Sequence, residues 1–375
     1  MACCGWIHYL FGWQAALLYA VFPLNVCGVA WNTGNYYMST VLLLLAGHAT
    51  IALETPTMPL VSTIVSCLFY VSALNSTLNS LPYVFIAVFY PYGWLFILPF
   101  LTFITGKRFT TGFTKRKDKH DKIGITVFRG RYLLRAVKVI AYYVYVSFWP
   151  SRLGLFHEWG YGKEFYTKRA IIYSVILCLA YLTFGLLIDW RMVLAWFLFI
   201  ALFSQYVNLG QFIAERYTLV ANVCFCVIVA RFIVNPVIYA VVVCFWFYRS
   251  HLYIKTFKNL ETLYTNGILS FPQAPENYNN LGSYYVNCQR YAEALRPLFY
   301  GLQLSRGNKS NIHIQIARCY QAKRDYKSAL EHIDKALIDC PKDKEAEYKG
   351  YWHTFRNKAI DQAHNEKMLK KLRPA

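Results

Sequence analysis

Apolar and polar residues are segregated along this chain rather than mixed. Stretches at about 7–21, 36–53, 58–74, 83–105, 132–149, 170–188, 191–208, 217–232 and 236–248 are almost wholly apolar. A helix needs roughly 17–25 such residues to cross a bilayer, so the pattern predicts about nine membrane-spanning helices. The first stretch and the last two are short, which tilting and flanking Tyr and Trp at the headgroups accommodate. Pro236 interrupts what would otherwise be one helix of about thirty residues. Pro91-Tyr92-Gly93 is expected to split the fourth stretch in the same way.

After Tyr248 the pattern changes. Tyr278, Leu281-Gly282, Tyr285, Tyr291, Ala294 and Leu298 are followed by a second set, Ile316-Ala317, Tyr320, Tyr326, Ala329, Ile333, Ala336 and Pro341. Ala294 and Ala329 are 35 residues apart. Tetratricopeptide units recur about every 34 residues with small side chains where paired helices touch, and an insertion near Asn308 absorbs the extra position. Leu260–Pro272 looks like the second helix of an incomplete preceding unit. The expectation is an all-α chain: residues 1–248 a polytopic membrane domain, residues 249–375 a short tetratricopeptide-repeat array. Fewer than three full repeats rarely stand alone, so the array is expected to pack on the membrane portion or on another chain. A docking or spacer role is its simplest reading.

Composition and charge then set the orientation. Of the 375 residues 57% are hydrophobic and 15% charged, where soluble domains carry about a quarter charged. The net charge of +20 is concentrated. Lys107–Lys138 holds eleven basic and two acidic residues, and the stretch from Arg249 onward holds twenty-one and twelve. The first block joins two apolar stretches, which fits membrane topology better than nucleic-acid binding. Lys and Arg concentrate in cytoplasmic loops, so residues 106–131 are placed inside. Phe22–Asn35, Asn75–Pro82, Ser151–Lys168, Leu209–Arg216 and the repeat domain then fall outside. Most of the eleven cysteines lie in apolar runs and read as small hydrophobes; no metal site is expected. Residues 1–20 lack the basic start of a secretory signal.

The outward loops hold the candidate chemistry. Glu215-Arg216-Tyr217 stands just before an apolar run, and an Arg there can donate paired hydrogen bonds to a phosphate near the headgroups. An interfacial anchor or a structural ion pair would read the same way. Trp149-Pro150-Ser151-Arg152-Leu153-Gly154-Leu155-Phe156-His157-Glu158-Trp159 mixes aromatic faces with polar groups, a combination that suits sugars and lipid phosphates and also an aromatic belt. His157, Glu158 and Glu164 are possible acid–base groups. No phosphate-binding Gly-x-x-x-x-Gly-Lys-Ser/Thr loop, His-Glu-x-x-His zinc helix or Gly-x-Ser-x-Gly elbow occurs, which argues against nucleotide hydrolysis and proteolysis. Asn75-Ser76-Thr77 and Asn308-Lys309-Ser310 match glycosylation acceptor triplets.

Four passages, taken in order, resemble membrane O-mannosyltransferases with tetratricopeptide repeats, within the protein mannosyltransferase-like group. Ala16 to Trp31 with Gly34-Asn35 looks like that family's "FAVHPVHVEAVAW…GR" segment. Trp149-Pro150-Ser151-Arg152-Leu153 resembles its "P-x-x-L" passage, Ala214-Glu215-Arg216-Tyr217 its "A-[DE]-R-Y" motif, and Tyr248 to Gly282 its junction into the repeats. The resemblance implies a type-C glycosyltransferase fold and a polyprenyl-phosphate sugar as donor substrate; no cofactor is assigned, and a metal requirement is left open. It also implies transfer at the extracytoplasmic face, with the repeats presenting a protein or glycan acceptor. The substrate-binding set it implies is Arg216, Glu215, Tyr217, Arg152, Trp149, His157 and Asn35. Arg216 would hold the donor phosphate, Arg152 is a second candidate for that role, and Tyr217 and Trp149 would shape the lipid–sugar boundary.

This sequence departs from the family at the equivalents of its His (Phe22) and of its Arg after Gly (Asn35). The family's first helix and acidic catalytic loop have no counterpart before Phe22, and Glu54 is the one charged side chain in the first 106 residues. No catalytic residue is therefore assigned, and the expectation is a truncated or split enzyme whose loop comes from a partner chain. The alternative is a non-catalytic membrane-anchored scaffold that recruits envelope or secretory-pathway proteins. A transporter is a third reading, with Asp189 and Arg231 as its few ionisable groups near span ends. The membrane expected is a bacterial inner membrane or that of the endoplasmic reticulum, and no nucleic-acid partner is expected.

Overall fold

The structure of the protein is a computed structural model that describes residues 1–30, 35–52, 58–105, 130–154, 168–202, 214–305, 309–338, 340 and 344–372. Every regular element among the described residues is a helix. The chain divides into two compact units, Met1–Phe257 and Lys258–Ala375. The break falls nine residues after the predicted boundary because one helix runs without interruption through Tyr248.

The first unit contains α1 (Ala2–Phe11), α2 (Trp13–Val21), α3 (Val26–Ala30), α4 (Asn35–Ala52), α5 (Pro59–Ser76), α6 (Val84–Ala87) and α7 (Ile97–Thr105). It continues with α8 (Gly130–Phe148), α9 (Lys168–Phe197), α10 (Leu219–Phe232) and α11 (Pro236–Thr256). Gly12, at a φ of 93°, separates α1 from α2, so the first predicted span is two helices rather than one. The fourth predicted span is broken at Tyr92, which adopts the left-handed region at φ 54°. Asn235 accepts hydrogen bonds from the Val237 and Ile238 N–H groups and, with Pro236 at the first helical position, starts α11.

α9 is not a single rod. Asp189 has non-helical dihedrals, and the Tyr181 and Trp196 rings beyond it on either side are 4.8 Å apart. In a straight helix fifteen residues would separate them by about 22 Å. The chain therefore folds back at Asp189, as the predicted stretches at 170–188 and 191–208 require. The Asp189 carboxylate caps the returning limb by accepting from Arg191 N and Met192 N and also pairs with Arg231.

α10 is buried on all sides from Leu219 to Val229, the mark of a central helix. Around it α2 and α11 run parallel: Tyr239 donates to the Gln14 carbonyl at 2.8 Å, and about three turns on Ser250 donates to the Val21 carbonyl at 2.7 Å. α10 runs the opposite way, because Tyr19, near the end of α2, reaches the Leu219 carbonyl at its start. Outward, α5 exposes Leu60, Val61, Ile64, Leu68 and Val71 along one face, and α9 and α11 carry comparable apolar rows. Among the described residues three helical stretches are long and apolar enough to cross a membrane, within Pro59–Ser76, Arg169–Ile200 and Pro236–Thr256; the bent pair Trp13–Val21 and Pro23–Ala30 is a fourth if counted as one span.

The second unit contains α12 (Leu260–Ser270), α13 (Pro275–Asn287), α14 (Tyr291–Leu304), α15 (Ser310–Ala322), α16 (Tyr326–Ile338) and α17 (Glu345–Leu372). α13/α14 and α15/α16 are helical hairpins closed by the same turn. Gln289 and Arg324 both sit at φ 61°, and the residue after each donates its N–H five residues back, Arg290 to Tyr285 and Asp325 to Tyr320. Each pair of equivalent positions is 35 residues apart, the spacing read from the sequence. Gly282 lets the helices of the first hairpin close: a Cβ there would lie 2.5 Å from Leu298 Cγ. Ala317, Ala329, Ile333 and Ala336 form the equivalent contact in the second hairpin.

Candidate functional site

The segment Ala214–Thr218 enters α10 through a short 3-10 turn, and side chains from distant elements converge on it. The Tyr143 hydroxyl, from α8, donates to the Ala214 carbonyl at 3.2 Å and accepts from the Ala214 N–H at 3.0 Å. Glu215 is 2% exposed. Its Oε1 accepts from the Gly154 backbone N–H and its Oε2 from the Tyr253 hydroxyl, each at 2.8 Å. Burial pushes its carboxyl up to about 8, against the Gly154 N–H, Tyr253 hydroxyl and Arg216, which favour the charged form.

Arg216 follows at the edge of the cluster. Its guanidinium lies 5.0 Å over the Tyr217 ring and interacts with the Tyr37 hydroxyl from α4. Tyr37 and Tyr217 are themselves 6.2 Å apart, and Cys27 of α3 is within electrostatic range of both Glu215 and Arg216. The cation thus sits in an aromatic, poorly hydrated wall, where a charge–charge contact is stronger than in water.

The Trp149–Gly154 segment is fixed from α11. Arg249 Nε donates to the Pro150 carbonyl at 2.9 Å and its Nη2 to the Ser151 carbonyl at 2.6 Å. Trp149 stacks on Phe245 at 5.3 Å. Phe245, Arg249 and Tyr253 recur every four residues and share one helix face. Leu153 and Gly154 are buried, while Ser151 and Arg152 remain exposed.

Three of the passages singled out in the sequence therefore meet: Phe22–Ala30, Trp149–Gly154 and Ala214–Tyr217. Glu215, Arg216, Tyr217, Trp149 and Arg152 all belong to this cluster. Glu215 faces the interior, not an open surface, and a role in direct substrate contact does not suit it. Asn35 opens α4, two residues before Tyr37; its side chain lies outside the described residues, as do His157, Glu158, Glu164 and Glu54. Sequence reading missed Tyr143, Tyr253, Arg249 and Tyr37. The four-residue spacing of Phe245, Arg249 and Tyr253 was the one signal available for the α11 contribution. Among the described residues no three His, Cys, Asp or Glu side chains converge as metal ligands would. Comparison with protein-family models, curated proteins and solved structures finds no match to the chain.

Proposed function

We propose that this is a multi-pass membrane protein of the O-mannosyltransferase kind, which takes a sugar from a polyprenyl-phosphate donor at the extracytoplasmic face. Arg216 holds the donor phosphate. The observation that supports this reading best is the convergence of Phe22–Ala30, Trp149–Gly154 and Ala214–Tyr217 around one arginine backed by tyrosines. A guanidinium presents a planar donor fork to a phosphate; the buried Tyr217 ring backs the cation, and the half-buried Tyr37 and the exposed Trp149 supply faces on which a sugar and the start of a lipid chain can lie. The apolar rows on α5, α9 and α11 suit contact with lipid. The second unit is read as a tetratricopeptide array that presents a protein or glycan acceptor.

The test is donor affinity in reconstituted membranes. Charge-assisted hydrogen bonds contribute about 1.5–3 kcal/mol, so Arg216→Ala is expected to weaken binding of polyprenyl-phosphate mannose by about 10- to 150-fold. Unchanged affinity would overturn the assignment.

A second reading is favoured by the two equivalent hairpins in Lys258–Ala375: a membrane-anchored scaffold that recruits envelope or secretory-pathway proteins. In that case Arg216→Ala leaves both the cellular phenotype and the set of co-purifying proteins unchanged. Loss of the phenotype with the co-purifying set intact would exclude it.

A further inference from the structure

We propose that Glu215, Arg249 and Tyr253 form a positioning latch that fixes the Trp149–Gly154 segment so that Arg152 and Arg216 flank one phosphate-bearing ligand. The proposal rests on the donor reading above and adds a second cation and the machinery that sets it.

Trp149–Gly154 follows the end of α8 and has no regular secondary structure, so its backbone groups need partners from elsewhere. Arg249 takes two consecutive carbonyls, those of Pro150 and Ser151, and Glu215 takes the Gly154 N–H. Arg152 lies between these two anchored points. Its backbone is pinned on both sides while its side chain stays exposed. The Gly154–Glu215 bond joins a residue two positions after Arg152 to the residue immediately before Arg216. Arg152 and Glu215 both act electrostatically on the Tyr142 hydroxyl, and Arg216 and Glu215 both act on that of the adjacent Tyr143. The two arginines are thus presented from one cluster.

Glu215 is the joint of this arrangement. Both of its oxygens are engaged inward at 2.8 Å, so it positions and does not touch the ligand. Tyr253 stands one turn beyond Arg249 on α11, so a single helix face holds both ends of the segment. Two cations held in place before the ligand arrives avoid the ordering cost that loose side chains would incur on binding.

The experiment uses the full chain in lipid nanodiscs and two readouts: affinity for polyprenyl-phosphate mannose, and amide exchange across residues 150–154. Glu215→Ala and Arg249→Ala are each expected to weaken donor binding at least tenfold and to raise exchange at Leu153 and Gly154. Glu215→Gln, whose amide oxygen still accepts from Gly154 and whose NH2 can reach the Tyr253 oxygen, is expected to stay within threefold of wild type. Arg249→Lys is expected not to recover binding, because an ammonium lacks the fork that spans two carbonyls. Tyr253→Phe, a milder change for folding, should weaken binding about threefold. Wild-type affinity with protected amides in Glu215→Ala would overturn the latch. So would failure of Glu215→Gln with exchange rising across α10 and α11 as well, since that marks general loosening. Absence of donor binding in the wild type would overturn the donor reading alone, and exchange at Leu153 and Gly154 would still decide the latch.

Discussion

A buried carboxyl next to an arginine invites the reading of an ion pair. Glu215 instead accepts from a backbone N–H and a tyrosine hydroxyl, and its raised pKa follows from burial that these bonds only partly offset. The sign of the pH dependence follows. Between about 4.5 and 8 the unfolded chain has released the proton that the folded chain keeps. Stability from this group is therefore fully present at acidic pH and is lost as pH rises towards 8, by at most about 1.4 kcal/mol per pH unit. Thermal unfolding in detergent between pH 5 and 8 should show this decline in the wild type and a shallower one in Glu215→Gln. Equal slopes in the two proteins would show that the carboxyl does not titrate as described. At this scale the sequence was half legible. Glu215, Arg216 and Arg152 stand out as polar groups in apolar surroundings, but adjacent residues in a chain do not reveal which of them turns inward. Tyr143 and Tyr253 were invisible because their partners are 71 and 38 residues away and the chain holds 31 tyrosines.

Among the elements, the breaks were more legible than the helices' partners. Pro236 and the Pro91–Gly93 turn end helices for reasons of backbone chemistry that any context preserves. Gly12 was missed: a glycine in an apolar run is tolerated within a helix, and its positive φ depends on what surrounds it. The repeat was legible because two helices can approach closely only where small residues recur. That closeness gives a prediction. Gly282→Val forces a branched side chain against the fully buried Leu298, and overpacking of this kind costs about 1–3 kcal/mol. Purified Gly282→Val protein should unfold at lower denaturant than wild type, with helix content lost first from the second unit. An unchanged midpoint would mean that the hairpin relaxes around the extra methyl groups.

For the whole molecule, the alternation of apolar runs and one basic block indicated an all-helical chain, but not which run lies at the centre. α10 is central because every face of it is covered, and coverage depends on neighbours far away in the chain. On the membrane reading this sorts the helices by lipid contact. An apolar photoactivated probe dissolved in the bilayer should label cysteine placed at Leu68 of α5 or Val241 of α11, both exposed. It should spare cysteine at Val223 of α10, which is buried. Labelling at Val223 equal to that at Leu68 would contradict the packing.

The reversal at Asp189 bears on sidedness through parity. A chain that turns back on itself crosses a layer an even number of times or not at all, so its two ends emerge on one side. Gly154 and Glu215, which flank that reversal, are hydrogen-bonded to each other and must lie on one side whatever the depth each limb reaches. α10 then leaves that side and α11, antiparallel to it, comes back, as the bond from Tyr253 to Glu215 requires. The number of limbs in α9 does not alter the result: α11 ends at Thr256 on the same face of the first unit as Glu215 and Arg216.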